Sequence, residues 1–231
     1  MTDADLPGRL IGHGRSADVY DIGGGRVLRR YRAGRSCEVE ATVMAAVGAA
    51  GYPVPEVFDA NGPDLVMERL DGRTMLDALA SAPWRLGSLA EQLAELHLRL
   101  EQIDAGALDV PRRFGAADHL VHLDLHPDNV MLTARGPLVF DWTTAGRGPS
   151  GTDVAMTWIL MSTSDVDAPL WLRPLVATIR RRFLVRFVDA VGGLPSQQLM
   201  NEVARYRLED RNVLAPEAAR LREYLAQHGE R

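Results

Sequence analysis

Two carboxylates and an amide stand at fixed intervals in the middle of the chain. They lie in the run His122-Leu-Asp124-Leu-His126-Pro127-Asp128-Asn129-Val-Met-Leu132, which is followed by Gly136-Pro-Leu-Val-Phe-Asp141-Trp142. Asp124 comes two residues after His122, Asn129 five residues after Asp124, and Asp141 closes an apolar run. Carboxylates take up protons, and carboxylate and amide oxygens both suit hard cations. The same residue types also cap turns, so position must decide between the two uses. The apolar pieces His119-Leu-Val, Val130-Met-Leu and Leu138-Val-Phe read as short strands bounded by turn residues. The polar groups therefore tip loops between strands, and loops on a rigid scaffold are where function concentrates.

The pattern His-x-Asp-x-x-x-x-Asn, then a strand hairpin ending in Asp, resembles the catalytic loop and metal-binding aspartate of the kinase fold. The second histidine, in His122-Leu-Asp-Leu-His126-Pro, makes it more similar to the aminoglycoside phosphotransferase and choline kinase group than to eukaryotic protein kinases. The resemblance implies an α+β, protein-kinase-like fold in two lobes. A small antiparallel sheet with one helix would occupy about residues 1–70 and bind nucleotide. A mainly helical lobe over about 71–231 would carry the catalytic loop, the metal site and the acceptor. The implied cofactors are ATP and Mg²⁺. Asp124 would orient an acceptor hydroxyl and take its proton, while Asn129 and Asp141 would hold the metal.

The elements that must position these groups follow from the N-terminus. Gly12-His-Gly14-Arg-Ser16-Ala17-Asp-Val19-Tyr fits both a dinucleotide fingerprint and a kinase glycine loop with alanine at the third glycine. A dinucleotide loop must open a helix. Here Val19-Tyr-Asp-Ile leads into Gly23-Gly-Gly25 and then Arg26-Val-Leu-Arg29-Arg-Tyr, which reads as a hairpin. The implied nucleotide contacts in the loop are Gly12, Gly14, Ser16 and Val19.

The strand after the turn should carry the phosphate-clamping cation. Alternation puts Val27, Arg29 and Tyr31 on one face and Leu28 and Arg30 on the other. Related phosphotransferases favour Arg29, and Arg30 stays open. Arginine replaces the usual lysine, which keeps the charge but not the same chemistry. Residues 35–50 read as a helix with Ser36 as N-cap and Val39, Val43, Ala46 and Val47 as its apolar stripe. By resemblance Glu40 pairs with the strand cation, with Glu38 as the competitor on another face. Asp64-Leu-Val-Met67-Glu68-Arg-Leu70-Asp-Gly72 looks like the kinase hinge, where backbone groups at Glu68 and Leu70 would bind adenine. Met131, just past Asn129, joins the implied nucleotide contacts.

Thr74-Met-Leu-Asp77 can form a capping box. Residues 83–103 make the clearest helix, with Leu86, Leu89, Leu93, Leu96, Leu100 and Ile103 on one face and His97 beside it. Residues 104–117 read as a loop. Past Asp141 a short stretch leads to an apolar helix at Val154, leaving no room for a long activation segment. Asp153 resembles a structural aspartate that braces the catalytic loop. Helices are expected over about 169–191, 195–208 and 216–228, with Arg180-Arg-Arg182 as a solvated face and Pro216 in a first turn.

Composition removes other classes. The 231 residues, 46% hydrophobic and 25% charged, describe an ordinary soluble domain. All 26 basic residues are arginine, so a Walker-type Gly-Lys-Ser/Thr phosphate loop cannot exist. The net charge of -5 argues against nucleic acid as partner and favours a small, cationic hydroxyl compound. The single cysteine, Cys37, excludes an internal disulfide. No apolar run reaches membrane-spanning length, and the acidic start Met-Thr-Asp-Ala-Asp lacks the features of a signal peptide, so a cytoplasmic location is expected. The expected activity is ATP-dependent phosphorylation of an aminoglycoside-, choline- or sugar-like hydroxyl. A nucleotide-binding pseudokinase and, behind it, a protein kinase are the alternatives.

Overall fold

Residues 8–14, 16–106, 108–165 and 168–229 are described in a computed structural model. The acidic N-terminal residues and Arg15 of the glycine-rich piece lie outside them. Five strands, β1 (Arg9–His13), β2 (Ala17–Gly23), β3 (Arg26–Tyr31), β4 (Val57–Asn61) and β5 (Asp64–Glu68), form an antiparallel sheet in the order β1-β2-β3-β5-β4. The β2–β3 connection needs its glycines: Gly24 has φ 61° and Gly25 φ 71°, where a side chain would be strained.

Helix α1 (Glu38–Ala49) lies against β4. Cys37 is its N-cap, one residue later than expected, while Ser36 Oγ accepts the Glu38 N–H at 3.2 Å. The expected apolar stripe is rotated. Val39 is 53% exposed, and Glu40, Ala41, Val43, Met44 and Val47 face inward. A buried glutamate on that face displaces the valine, because Glu40 must reach β3.

The chain then crosses to the second lobe through β6 (Gly72–Thr74), which pairs with the hairpin β8 (Val130–Thr133) and β9 (Gly136–Val139). Thr74 caps α2 (Met75–Ser81) by accepting the Asp77 N–H at 3.1 Å. The long helix expected over 83–103 is a 3₁₀ turn, Pro83–Arg85, followed by α3 (Leu86–Leu100). Leu89, Leu93, Leu96 and Leu100 are fully buried, each contributing about 1.5–3 kcal/mol of transfer free energy. Helix α5 (Arg173–Ala190) packs on α3 and buries Phe183 and Phe187.

The strand expected at His119–Val121 is β7, and it pairs antiparallel with β10 (Gly146–Gly148), which no local pattern marks, below the loop 122–129. Helix α4 (Thr152–Thr163) follows, with α6 (Gln197–Leu208) and α7 (Ala215–His228) against it. Phe114, Leu123, Ile159, Met200, Val203 and Leu221 belong to the apolar cluster among these last helices. Arg180 departs from the expected solvated face: it is half-buried and donates to Ser164 O at 2.7 Å. No described helix is long and apolar enough to cross a membrane.

Candidate active site

The loop that carries Asp124 and Asn129 leaves β7 under constraint. Leu123 has φ 64°, a left-handed conformation costly for a branched side chain. Asp153, at the start of α4, holds the turn: its carboxylate accepts the His122 N–H at 2.9 Å and the Leu123 N–H at 2.7 Å. Burial pushes its pKa up to about 6, even though both backbone bonds favour the ionised form. His122 is buried beneath the loop and kept neutral by burial, which lowers its pKa. Its Nδ1 accepts the Asp124 N–H at 3.2 Å and its Nε2 donates to Phe140 O at 3.2 Å. Thr144 Oγ1 donates to His122 O at 2.7 Å. His97 makes two contacts where one was expected. Nδ1 donates to Leu93 O at 2.8 Å, and Nε2 lies 2.9 Å from Thr157 Oγ1, which also meets Leu125 O in the loop.

Asp124 emerges from this base half-open. Its Oδ2 accepts from Asn129 Nδ2 at 2.9 Å, and the same amide nitrogen donates to Asp124 O at 2.8 Å. Its Oδ1 lies 3.3 Å from His126 Nε2. Burial, the largest influence on the carboxyl, pushes it up. The hydrogen bond from His126, the closeness of the His126 and His122 rings and the Asn129 amide outweigh it and hold the pKa below the ordinary value. Asp124 is thus a carboxylate at neutral pH, as a proton acceptor must be.

Asp141 follows β9 in a left-handed conformation, φ 64°. Its Oδ1 accepts from Arg29 Nη2 at 2.7 Å and from Thr143 Oγ1 at 2.9 Å. Arg29 Nη1 donates to Glu40 Oε1 at 3.0 Å, so one guanidinium joins α1 to the loop that carries Asp141. Glu40 also accepts the Tyr31 hydroxyl and, at 3.1 Å, the Trp142 N–H. Burial works against the charge on Arg29, but the Glu40 and Asp141 charges more than compensate and raise its pKa. Arg30, on the other face of β3, is engaged bidentately by Asp64 at 2.7 Å per bond. The structure therefore gathers Arg29, Glu40 and Asp141 and leaves Arg30 outside; Glu38 is exposed.

The oxygens left over fit a small divalent cation. Asn129 has spent its amide N–H groups on Asp124, so Oδ1 remains, and Asp141 Oδ2 accepts nothing from the described residues. Two hard oxygens with the other positions on phosphate and water are what Mg²⁺ prefers. No cluster of three or more His, Cys, Asp or Glu occurs among the described residues, so these residues alone build no closed cage.

The expected nucleotide contacts line the strands on the N-terminal side. Gly12 pairs with Val19 across β1 and β2, and Gly14 N–H donates to Ala17 O at 2.9 Å, closing the loop over Ser16. At the crossing between lobes the Glu68 N–H is taken by Glu56 O at 2.8 Å, leaving only its carbonyl as an adenine contact. The Leu70 N–H donates to no group among the described residues. Met131 on β8 faces Thr74 and Leu138 as strand neighbours and is half-buried.

A sequence model of the Phosphotransferase enzyme family matches residues 7–118 and 98–191, which takes in every group just described. The chain belongs to this family. Its fold is shared with a choline/ethanolamine kinase family protein from Mesorhizobium loti (14% identity, TM-score 0.62, 97% of this chain and 90% of that one). It is shared also with the aminoglycoside phosphotransferase APH(2'')-IIia, solved with GDP and kanamycin (14% identity, TM-score 0.63, 97% and 96%). A thiamine kinase from Salmonella typhi is 29% identical over 91 residues, 39% of this chain; the match spans about a third of that relative's length (32%). Within the family frame, sequence reasoning missed Tyr31, Trp142, Thr143 and His126. Tyr31 could have been found, since it shares the Arg29 face; Trp142 acts through its backbone N–H, and Thr143 and His126 through side chains whose partners no spacing reveals.

Proposed function

We propose that this protein is an ATP-dependent phosphotransferase that moves the γ-phosphate of ATP to a hydroxyl of a small molecule. The observation that carries the reading is the Asp124 carboxylate, ionised, with Asn129 Nδ2 donating to one oxygen, His126 Nε2 3.3 Å from the other, and the side chain still about a third open (34%). In this reading Asp124 accepts the hydroxyl proton as the acceptor oxygen approaches phosphorus. Asn129 Oδ1 and Asp141 Oδ2 hold Mg²⁺, which when bound offsets charge on the phosphates. Arg29 uses two N–H groups on Glu40 and Asp141, and the other three of a guanidinium remain for phosphate oxygens. The Glu68 carbonyl and Leu70 N–H take adenine, Gly12, Gly14, Ser16 and Val19 cover the phosphates, and Met131 lies under the base. Residues 1–70 act as the nucleotide lobe and 71–231 as the acceptor lobe, in the cytoplasm where ATP is supplied.

The acceptor is an aminoglycoside-, choline- or sugar-like alcohol, preferably cationic. The net charge of -5 and the local similarity to thiamine kinase support that class. ADP release from Mg·ATP, measured with kanamycin, hygromycin B, thiamine, choline and simple sugars in turn, tests it. Stimulation by at least one compound, lost in Asp124→Asn, is expected. Stimulation that survives in Asp124→Asn removes the assignment of the base. A second reading, a nucleotide-binding pseudokinase, is favoured by one feature: arginine where the fold uses lysine. Tight Mg·ATP binding with no turnover toward any acceptor, water included, would select it.

A further inference from the structure

His126 is left over once the base, the metal oxygens and the phosphate clamp are assigned. It sits just before Pro127, which bars it from helical geometry; its backbone is extended, φ -134° and ψ 171°. From there the ring folds back over the loop. Nδ1 accepts the Asp128 N–H at 3.3 Å and caps the 3₁₀ turn Pro127–Asn129. A ring nitrogen that accepts carries no proton, so the proton of the neutral imidazole is on Nε2. Nε2 is the atom 3.3 Å from Asp124 Oδ1.

We propose that His126 is the positioning residue for Asp124, donating through Nε2–H to one carboxylate oxygen while the Asn129 amide holds the other. This rests on the phosphotransfer reading and deepens it. Donors from two different parts of the loop fix the carboxylate against rotation about both of its side-chain torsions. Each oxygen can accept more than one hydrogen bond, so a site on the carboxylate stays available for the acceptor hydroxyl. In the transfer the hydroxyl proton passes to Asp124, the acceptor oxygen bonds to phosphorus, and the bond from phosphorus to ADP breaks. His126 makes and breaks no covalent bond. Its Nε2 already carries a proton, so it is no relay for the one that Asp124 receives.

The two nitrogens can be tested apart, because asparagine and glutamine each reproduce one of them. His126→Asn keeps a short acceptor for the Asp128 N–H and so preserves the cap, but does not reach Asp124. His126→Gln extends an N–H to where Nε2 stood and gives up the cap. Turnover of Mg·ATP is measured with water as acceptor and with the best compound of the screen. His126→Asn is expected to lower kcat about tenfold, with the KM for ATP and the Tm unchanged. His126→Gln should recover most of that kcat with a lowered Tm. The reverse pattern, full kcat in His126→Asn and loss in His126→Gln, means that His126 is only a cap and overturns the proposal. A ring found by two-bond ¹H–¹⁵N spectra to carry its proton on Nδ1 overturns it as well, whatever the activity. If wild type and Asp124→Asn both show no turnover, the phosphotransfer reading itself fails and takes this inference with it.

Discussion

One position on β3 separates a buried cation from a surface charge. Arg29 is 7% exposed between two carboxylates, whereas Arg30 meets Asp64 at the sheet's other face, part-exposed. Truncating Arg29 would leave Glu40 buried and unpaired. Arg29→Ala is therefore expected to destabilise the fold by about 3 kcal/mol or more and to weaken ATP binding clearly, while Arg30→Ala costs under about 1 kcal/mol. Urea unfolding together with ATP titration reads both, and the opposite ranking would mean that the clamp is Arg30. Asp124→Asn keeps the side chain's size but loses its charge. Phosphoryl transfer should fall by ~10²–10⁴-fold with ATP affinity intact, whereas Asp141→Asn should weaken nucleotide binding only when metal is present. The sequence alone left 29 and 30 open for a physical reason. Alternation sorts side chains onto two faces but does not say which face a later helix will cover. That answer lies in Glu40, nine residues past Tyr31 and legible only through the family pattern.

The braces beneath the catalytic loop belong to helices α3 and α4, and they respond to acid in opposite senses. Burial lowers the pKa of His97 from an ordinary 6.5 to about 4, so between these values the unfolded chain binds a proton that the folded one refuses. Stability from His97 is present at neutral pH and is lost as pH falls from about 6.5 to 4, by up to ~3 kcal/mol. Asp153 is raised from 3.8 to about 6, so in that window the folded chain holds the extra proton. Its contribution therefore grows as pH falls through the same range and opposes that of His97. Relative to wild type, His97→Gln should gain stability on going from pH 7 to pH 4, and Asp153→Asn should lose it. Denaturant midpoints at the two pH values decide, and equal shifts in both variants would contradict the buried placement of these groups. Long periodic elements such as α3 were legible from leucine spacing. The short apolar strand β7 was legible too, but its partner β10 was not, because Gly146-Arg-Gly148 is three residues long and has no apolar alternation to read. The apolar stripe of α1 misled for a related reason: Val39 fits a helical period, but a buried ion pair turned the helix away from it.

At the scale of the whole molecule, a strand of one lobe is pinned to a loop of the other. Arg29 spans to Asp141, Trp142 N–H reaches Glu40, Arg35 donates to Thr143 O at 3.0 Å, and Val139 N–H donates to Pro53 O at 2.8 Å. A ligand bridging the same gap stabilises the folded state through mass action. At about a hundred times its Kd, Mg·ATP should add ~2.7 kcal/mol and raise the Tm by several degrees. The shift should largely vanish in excess EDTA, and a shift unaffected by chelation would remove Asn129 and Asp141 as metal ligands. Kinase character could be read from the sequence because its few polar stations lie close together along the chain. The acceptor could not, since the helices past Asp153 carry only packing information in their sequences. The Arg29 bridge also has a bearing on chemical labelling. Affinity reagents that mark nucleotide pockets by acylating an amine find none here: the cation is a guanidinium held in its charged, non-nucleophilic form by two carboxylates, and the sequence contains no lysine elsewhere to react in its place. In a labelled cell extract this protein would stay unmarked by such probes even with its site intact.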